Sequence, residues 1–198
     1  MSSNILLVDD SKTIRTHVRS ILQNAEDDYL VVDKEDGYEA LKWLALQPQK
    51  ALPDLVILDR NMPNMSGDDC IRVLKSDRLW KRIPVLFLTA QVEMTELVKG
   101  LAELEAEDYL PKPFDPREFL ARVKVLIRIK KAEDLTHQLN SDLEHSLVLQ
   151  KQAYDELKTT KIKLAETEAA AKLTGVFEKF VPKEFMNRIA PEGLENLI

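Results

Sequence analysis

With 198 residues, 44% of them hydrophobic, the chain carries enough apolar side chain for one ordinary domain and an extension, which excludes wholesale disorder. A net charge of -6, with 18 basic against 22 acidic residues through Arg128 and 10 against 12 after it, removes the electrostatic basis for a nucleic-acid partner. The lone Cys70 cannot form an internal disulfide, and no apolar run approaches the roughly 20 residues that cross a bilayer, so a cytoplasmic chain with no membrane partner is expected.

Strand-like runs open the chain at Ile5–Val8 and recur at Tyr29–Asp33, Leu55–Leu58, Val85–Leu88 and Asp108–Leu110. Between them lie amphipathic stretches such as Ile14, Val18, Ile21 and Leu22, or Ala40, Leu41 and Leu44. Ile-Leu-Leu-Val, Leu-Val-Ile-Leu and Val-Leu-Phe-Leu are apolar without alternation, as strands are when helices cover both sheet faces. The expected fold is therefore α/β, a doubly wound five-stranded parallel sheet. Ligands of such sheets sit outside the carboxyl ends of the strands.

Composition changes after Arg128. From there to Thr174 the chain has neither Gly nor Pro and is rich in Lys, Glu, Leu, Ala and Gln. A 3-4 spacing runs through Ile129, Ala132, Leu139, Leu143, Ala153, Leu157, Leu164 and Ala171, with polar residues at Thr136, Ser146, Gln150, Thr160 and Thr167. One long helix with a coiled-coil seam is expected, and a single such helix leaves its seam in water, so a homodimer through residues 129–174 follows. Asp115 and Pro116 suit an N-cap and first turn, which extends that helix back to Pro116. A parallel pair is expected. Gly175 is expected to break the helix, ahead of an aromatic group at Phe177, Phe180 and Phe185.

The strand ends carry the chemistry. The first ends in Asp9-Asp10, the third in Asp59, the fourth in Thr89-Ala90, and the fifth is followed by Lys112-Pro113-Phe114. Any one aspartate after a strand is ordinarily a turn or capping residue. In a parallel sheet, however, all these ends meet at one edge, where adjacent carboxylates repel each other. A hard divalent cation offsets that repulsion, and magnesium suits oxygen ligands of this kind. Lys112 adds a point positive charge for a phosphate. His17, on the first helix, reads as a surface residue, and Cys70 as ordinary packing.

Residues 4–127 resemble the receiver domain of bacterial two-component response regulators. The likeness is carried by Val8-Asp-Asp10, Asp59-Arg-Asn-Met-Pro63 with Gly67, Thr89-Ala90 and Tyr109-Leu-Pro-Lys-Pro-Phe114. It implies a flavodoxin-like fold, a sensor histidine kinase as partner and Asp59 as phosphoacceptor. Mg2+ is then held by Asp10, Asp59 and the Asn61 carbonyl, with Asp9 acting partly through water. The resemblance further implies that Thr89 and Lys112 contact the phosphoryl group, that Thr89 and Tyr109 form the switch, and that Asn61 and Gln91 tune dephosphorylation. It also implies a cis Lys112-Pro113 bond. One departure stands out: Glu105-Ala-Glu-Asp108 replaces the family's Gly-Ala-Asp-like turn, which predicts an irregular end to the fourth helix.

Phe177-Glu-Lys-Phe-Val-Pro-Lys-Glu-Phe-Met-Asn-Arg-Ile189 is similar to the segment that precedes class III adenylate/guanylate cyclase domains. The expected organisation is a receiver over 1–127, a coiled-coil signalling helix over 128–174 and a linker over 175–198. That linker leads to a cyclase output domain C-terminal to Ile198. The chain itself is then not an enzyme beyond slow self-dephosphorylation. The alternatives are a stand-alone dimeric adaptor or another output, such as a diguanylate cyclase or a phosphatase.

Overall fold

The computed structural model describes residues 2–90 and 105–180. In chain order its elements are β1 (Ser3–Val8), α1 (Lys12–Gln23), β2 (Tyr29–Lys34), α2 (Gly37–Ala45), β3 (Leu55–Asp59), α3 (Gly67–Ser76), β4 (Val85–Ala90), β5 (Asp108–Lys112) and α4 (Pro116–Phe180). Short 3-10 turns lie at Gln49–Ala51 and Trp80–Arg82. All strand pairs are parallel, in the order β2-β1-β3-β4-β5. Each expected strand is present, longer by one or two residues. Gln91 and the fourth helix expected between β4 and β5 lie outside the described residues.

The continuous apolar strands are explained by what covers them. Leu6, Val8, Val56, Leu58, Val85 and Phe87 face one side and pack with Ala40 and Leu44 of α2 and Cys70, Ile71 and Leu74 of α3. Their neighbours Ile5, Leu7, Leu55, Ile57, Leu86 and Leu88 face the other side. There they meet Val18 and Leu22 of α1 and Phe119, Val123 and Leu126 of α4. Successive side chains on a strand point to opposite faces, so two covered faces need apolar residues at every position. Side-chain caps start the helices. Ser11 accepts from the Ile14 N–H, Asp36 from Glu39, and Ser66 from Asp69.

The chain divides into two compact units, Met1–His137 and Gln138–Ile198. Within the first, three polar contacts hold the early turns of α4: Lys124 with Asp27, Lys131 with the Ser3 hydroxyl, and Arg82 with Asp134. In the second, residues 138–180 are helical, and Leu139, Leu143, Leu157 and Leu164 are exposed. The helix begins at Pro116, with the Asp115 carboxylate accepting from the Arg117 N–H.

Its C-terminal end differs from expectation. The helix passes through Gly175 to Phe180 rather than stopping at the glycine. A glycine inside a helix costs about 1 kcal/mol relative to alanine, yet it removes no backbone hydrogen bond. Preceded by Ala169, Ala170, Ala171, Lys172 and Leu173, all good helix formers, it is carried along as part of the helix. The rest of the expected linker, from Val181 onward, lies outside the described residues.

Candidate functional site

Strand order builds the site. β1 and β3 are neighbours, with Val8 beside Leu58, so Asp9 and Asp59 emerge next to each other. The direction in which strands are added reverses between these two parallel strands, at the switch point where such sheets bind ligands. On the far side, Ala90 of β4 pairs with Lys112 of β5, which brings the lysine to the same edge.

The side chains converge accordingly. The Lys112 ammonium donates to Asp59 Oδ1 at 2.6 Å and to Asp9 Oδ2 at 2.7 Å. Asp9 is wholly buried, and its second oxygen accepts the Ser11 N–H at 2.9 Å. Asp59 is 7% exposed, whereas Asp10 is open to solvent. Carboxylate oxygens of Asp9, Asp10 and Asp59 lie within 4.8 Å of one another. Burial pushes the Asp59 carboxyl above its usual range; the Lys112 ammonium pulls it back, and the Asp9 and Asp10 charges add to the rise. For Lys112 burial opposes the charge, but bonding to Asp59 and Asp9 outweighs it and holds the ammonium above its ordinary value.

This donor set fits a divalent cation. Three carboxylates cluster with one ammonium bonded to two of them, all donors are hard oxygens, and the exposed Asp10 leaves the cluster accessible. Thr89, at the end of β4, is buried. Asn61 is exposed beyond β3, and Tyr109 is half-buried against the core beside α3. The Lys112-Pro113 peptide is cis, as the resemblance implied. Glu105 takes a φ of 54°, the left-handed conformation that glycine adopts most readily, so the turn is kept without the glycine.

Sequence reasoning missed Arg15. Its guanidinium is buried and donates to the main-chain carbonyls of Asp9 at 2.7 Å and Asp10 at 3.1 Å. The remaining nitrogens bond Asp33 and Glu35 at the end of β2. One side chain thus fixes the backbone that carries two of the three carboxylates. The sequence signal reached only its face: Arg15 lies three and seven residues before Val18 and Leu22 on the buried side of α1, which says nothing of its partners.

Residues 5–124 match the family model described as the response regulator receiver domain. The chain belongs to that family. The receiver is 37% identical over 150 residues to the alkaline phosphatase synthesis transcriptional regulatory protein PhoP of Bacillus subtilis, covering 75% of this chain and 59% of that one. In general the chain spans about half the length of the curated relatives it matches. Among solved structures, a response regulator from Chloroflexus aurantiacus is 34% identical, with a TM-score of 0.58, covering 65% of this chain and 99% of that one. Adenylate cyclase from Rhodopirellula baltica is 22% identical, with a TM-score of 0.61, covering 70% of this chain and 97% of that one; this likeness is of fold alone. No helix among the described residues is long and apolar enough to cross a membrane.

Proposed function

We propose that this receiver accepts a phosphoryl group on Asp59 from a phosphohistidine of a sensor histidine kinase. The signal then passes through a homodimer formed by residues 129–174 to a nucleotide cyclase domain C-terminal to Ile198. On this reading residues 1–127 receive, 128–174 transmit and 175–198 connect, and the chain is a phosphoacceptor rather than an enzyme. The observation that carries it is the convergence of Lys112 on Asp59 and Asp9 at the switch-point edge, beside Asp10. The cyclase part rests on the sequence resemblance of residues 177–189, most of which lie outside the described residues.

In the transfer, an Asp59 carboxylate oxygen forms a bond to phosphorus as the phosphorus–nitrogen bond to the donor imidazole breaks. The imidazole nitrogen keeps the electron pair and takes up a proton. Lys112, already bonded to Asp59 Oδ1, is placed to follow the charge onto the phosphoryl oxygens. Asp9, Asp10 and Asp59, with the Asn61 main-chain carbonyl, would hold Mg2+, which when bound offsets repulsion between carboxylates and phosphoryl group. The Thr89 hydroxyl binds the new phosphoryl group, and Tyr109 responds to the movement of Thr89 as the switch. Water later cleaves the mixed anhydride, at a rate set by Asn61 and Gln91. The added charge, about −1.5 to −2, biases the receiver between two arrangements.

Intact-mass analysis after treatment with acetyl phosphate and magnesium tests the assignment. A single labile phosphoryl adduct is expected on the unaltered chain and none on Asp59→Asn. Equal labelling of both would remove Asp59 as acceptor.

A further inference from the structure

The seam of residues 138–180 contains threonines and a glutamine where a simple coiled coil has apolar residues, and the helix itself resolves most of that conflict. Thr160, Thr167 and Thr174 each turn the hydroxyl back onto the carbonyl four residues earlier, at Glu156, Lys163 and Ala170, at 2.8–3.0 Å. A hydroxyl satisfied within its own helix needs no partner across an interface, so these positions present a methyl group to whatever covers them. With Leu157, Leu164 and Ala171 they complete a seam that can be desolvated.

Gln150 is different. It sits on the seam with no hydrogen-bond partner among the described residues, and its amide carries two donors and an acceptor. Around it Leu147, Leu149 and Tyr154 are exposed and apolar. Any partner that covers those three encloses the amide, and leaving it unpaired there costs about 1–3 kcal/mol. A second Gln150 at the same height satisfies it, as a polar residue at the a position of a coiled coil does when it sets register.

Charge at the flanks agrees. When Leu143, Gln150, Leu157 and Leu164 occupy a, the g positions include Glu156 and Lys163 and the e positions Lys161 and Glu168. In a parallel, in-register pair each g residue faces the e residue five positions on in the other chain. Glu156 then meets Lys161, and Lys163 meets Glu168, opposite charges in both cases. An antiparallel pair centred on the same polar layer, with Gln150 opposite Ser146, instead sets Glu156 against Asp142.

We infer that the surface over residues 139–174 is a docking face for a second copy of this chain, in parallel and in register. Gln150 opposite Gln150, together with the Glu156–Lys161 and Lys163–Glu168 contacts, fixes that arrangement. The inference rests on the proposed dimer and adds its register and the residues that determine it.

Sedimentation equilibrium of the full chain at low ionic strength provides the first test. Glu156→Lys weakens dimerisation about tenfold, through two repulsive contacts per dimer, and adding Lys161→Glu restores it. Gln150→Leu tightens association while producing more than one assembly. Oxidation of Leu157→Cys, with the unaltered chain and its buried Cys70 as control, gives a reducible cross-linked dimer only when the two seams are parallel and aligned. A dimer that neither cross-links at Leu157→Cys nor recovers in the charge-swapped double variant overturns the register while keeping the dimer. A monomer at every concentration overturns both.

Discussion

Cys70 and Arg15 are both buried and lie outside the proposed phosphate-contacting groups. Burial among Gly37, Ala40 and Ile71 pushes the Cys70 thiol from its ordinary 9.0 up to about 12, and the Asp36 charge adds to the rise. A raised acid favours the neutral form in the folded state. Its contribution to stability is therefore complete below pH 9.0 and lost as pH climbs towards about 12. Tyr29 is raised to about 12 with the same sign, by burial first and then by Asp27. Near pH 8 the folded thiol is thus expected to ignore an aromatic disulfide reagent and to react once urea unfolds the chain. Stability should fall above about pH 9, less steeply in Cys70→Ala. Fast stoichiometric reaction of the folded protein would contradict this. The packing role of Cys70 was legible from its place in an amphipathic helix. The clamp formed by Arg15 was not, because its partners Asp33 and Glu35 are 18 and 20 residues away and meet it only once β2 lies beside β1.

At the scale of elements, the strands were legible because their apolar runs have no alternation, and the first turn of α4 because Asp115-Pro116 is a strong start signal. The error lay at Gly175, where a weak breaker was read as a stop although the surrounding residues favour helix. The opposite case is Gly67, whose role no local rule reveals. An added Cβ there would lie 2.3 Å from the Asp59 main-chain oxygen and 2.9 Å from the Arg60 Cα, and its N–H already donates to the Arg60 carbonyl at 2.8 Å. Both obstacles are backbone and cannot swing aside. Gly67→Ala is therefore expected to cost about 2 kcal/mol in denaturant unfolding and to displace the strand end carrying Asp59, lowering its phosphorylation. An unchanged midpoint would show that the start of α3 can move away from β3 without loss.

For the molecule as a whole, the acidic cluster sets stability against function. Three carboxylates cluster with one ammonium bonded to two of them, and one of these, Asp59, is held above the usual carboxylate range chiefly by burial. The sign follows from linkage: its favourable contribution belongs to the protonated form, present below its ordinary 3.8 and lost as pH rises through the higher folded value. Near neutrality and with chelator present, the charged Asp59 therefore weakens the fold, and Asp59→Asn is expected to raise the unfolding free energy by about 1 kcal/mol. Magnesium should act in the same direction by another route. A ligand bound only by the folded state adds about 2.7 kcal/mol at a hundred times its dissociation constant. Thermal unfolding with and without magnesium should then show a large upward shift for the unaltered chain. Asp10→Ala should lose most of that shift, since Asp10 has the exposed carboxylate. Asp9→Ala should lose less of it, because both Asp9 oxygens are already engaged by Ser11 and Lys112. Acidification should also shrink the shift, because protons compete for the same oxygens. Equal magnesium shifts in Asp10→Ala and the unaltered chain would place the ion elsewhere. An apo Asp59→Asn protein no more stable than its parent would mean that Lys112 alone balances the buried charge.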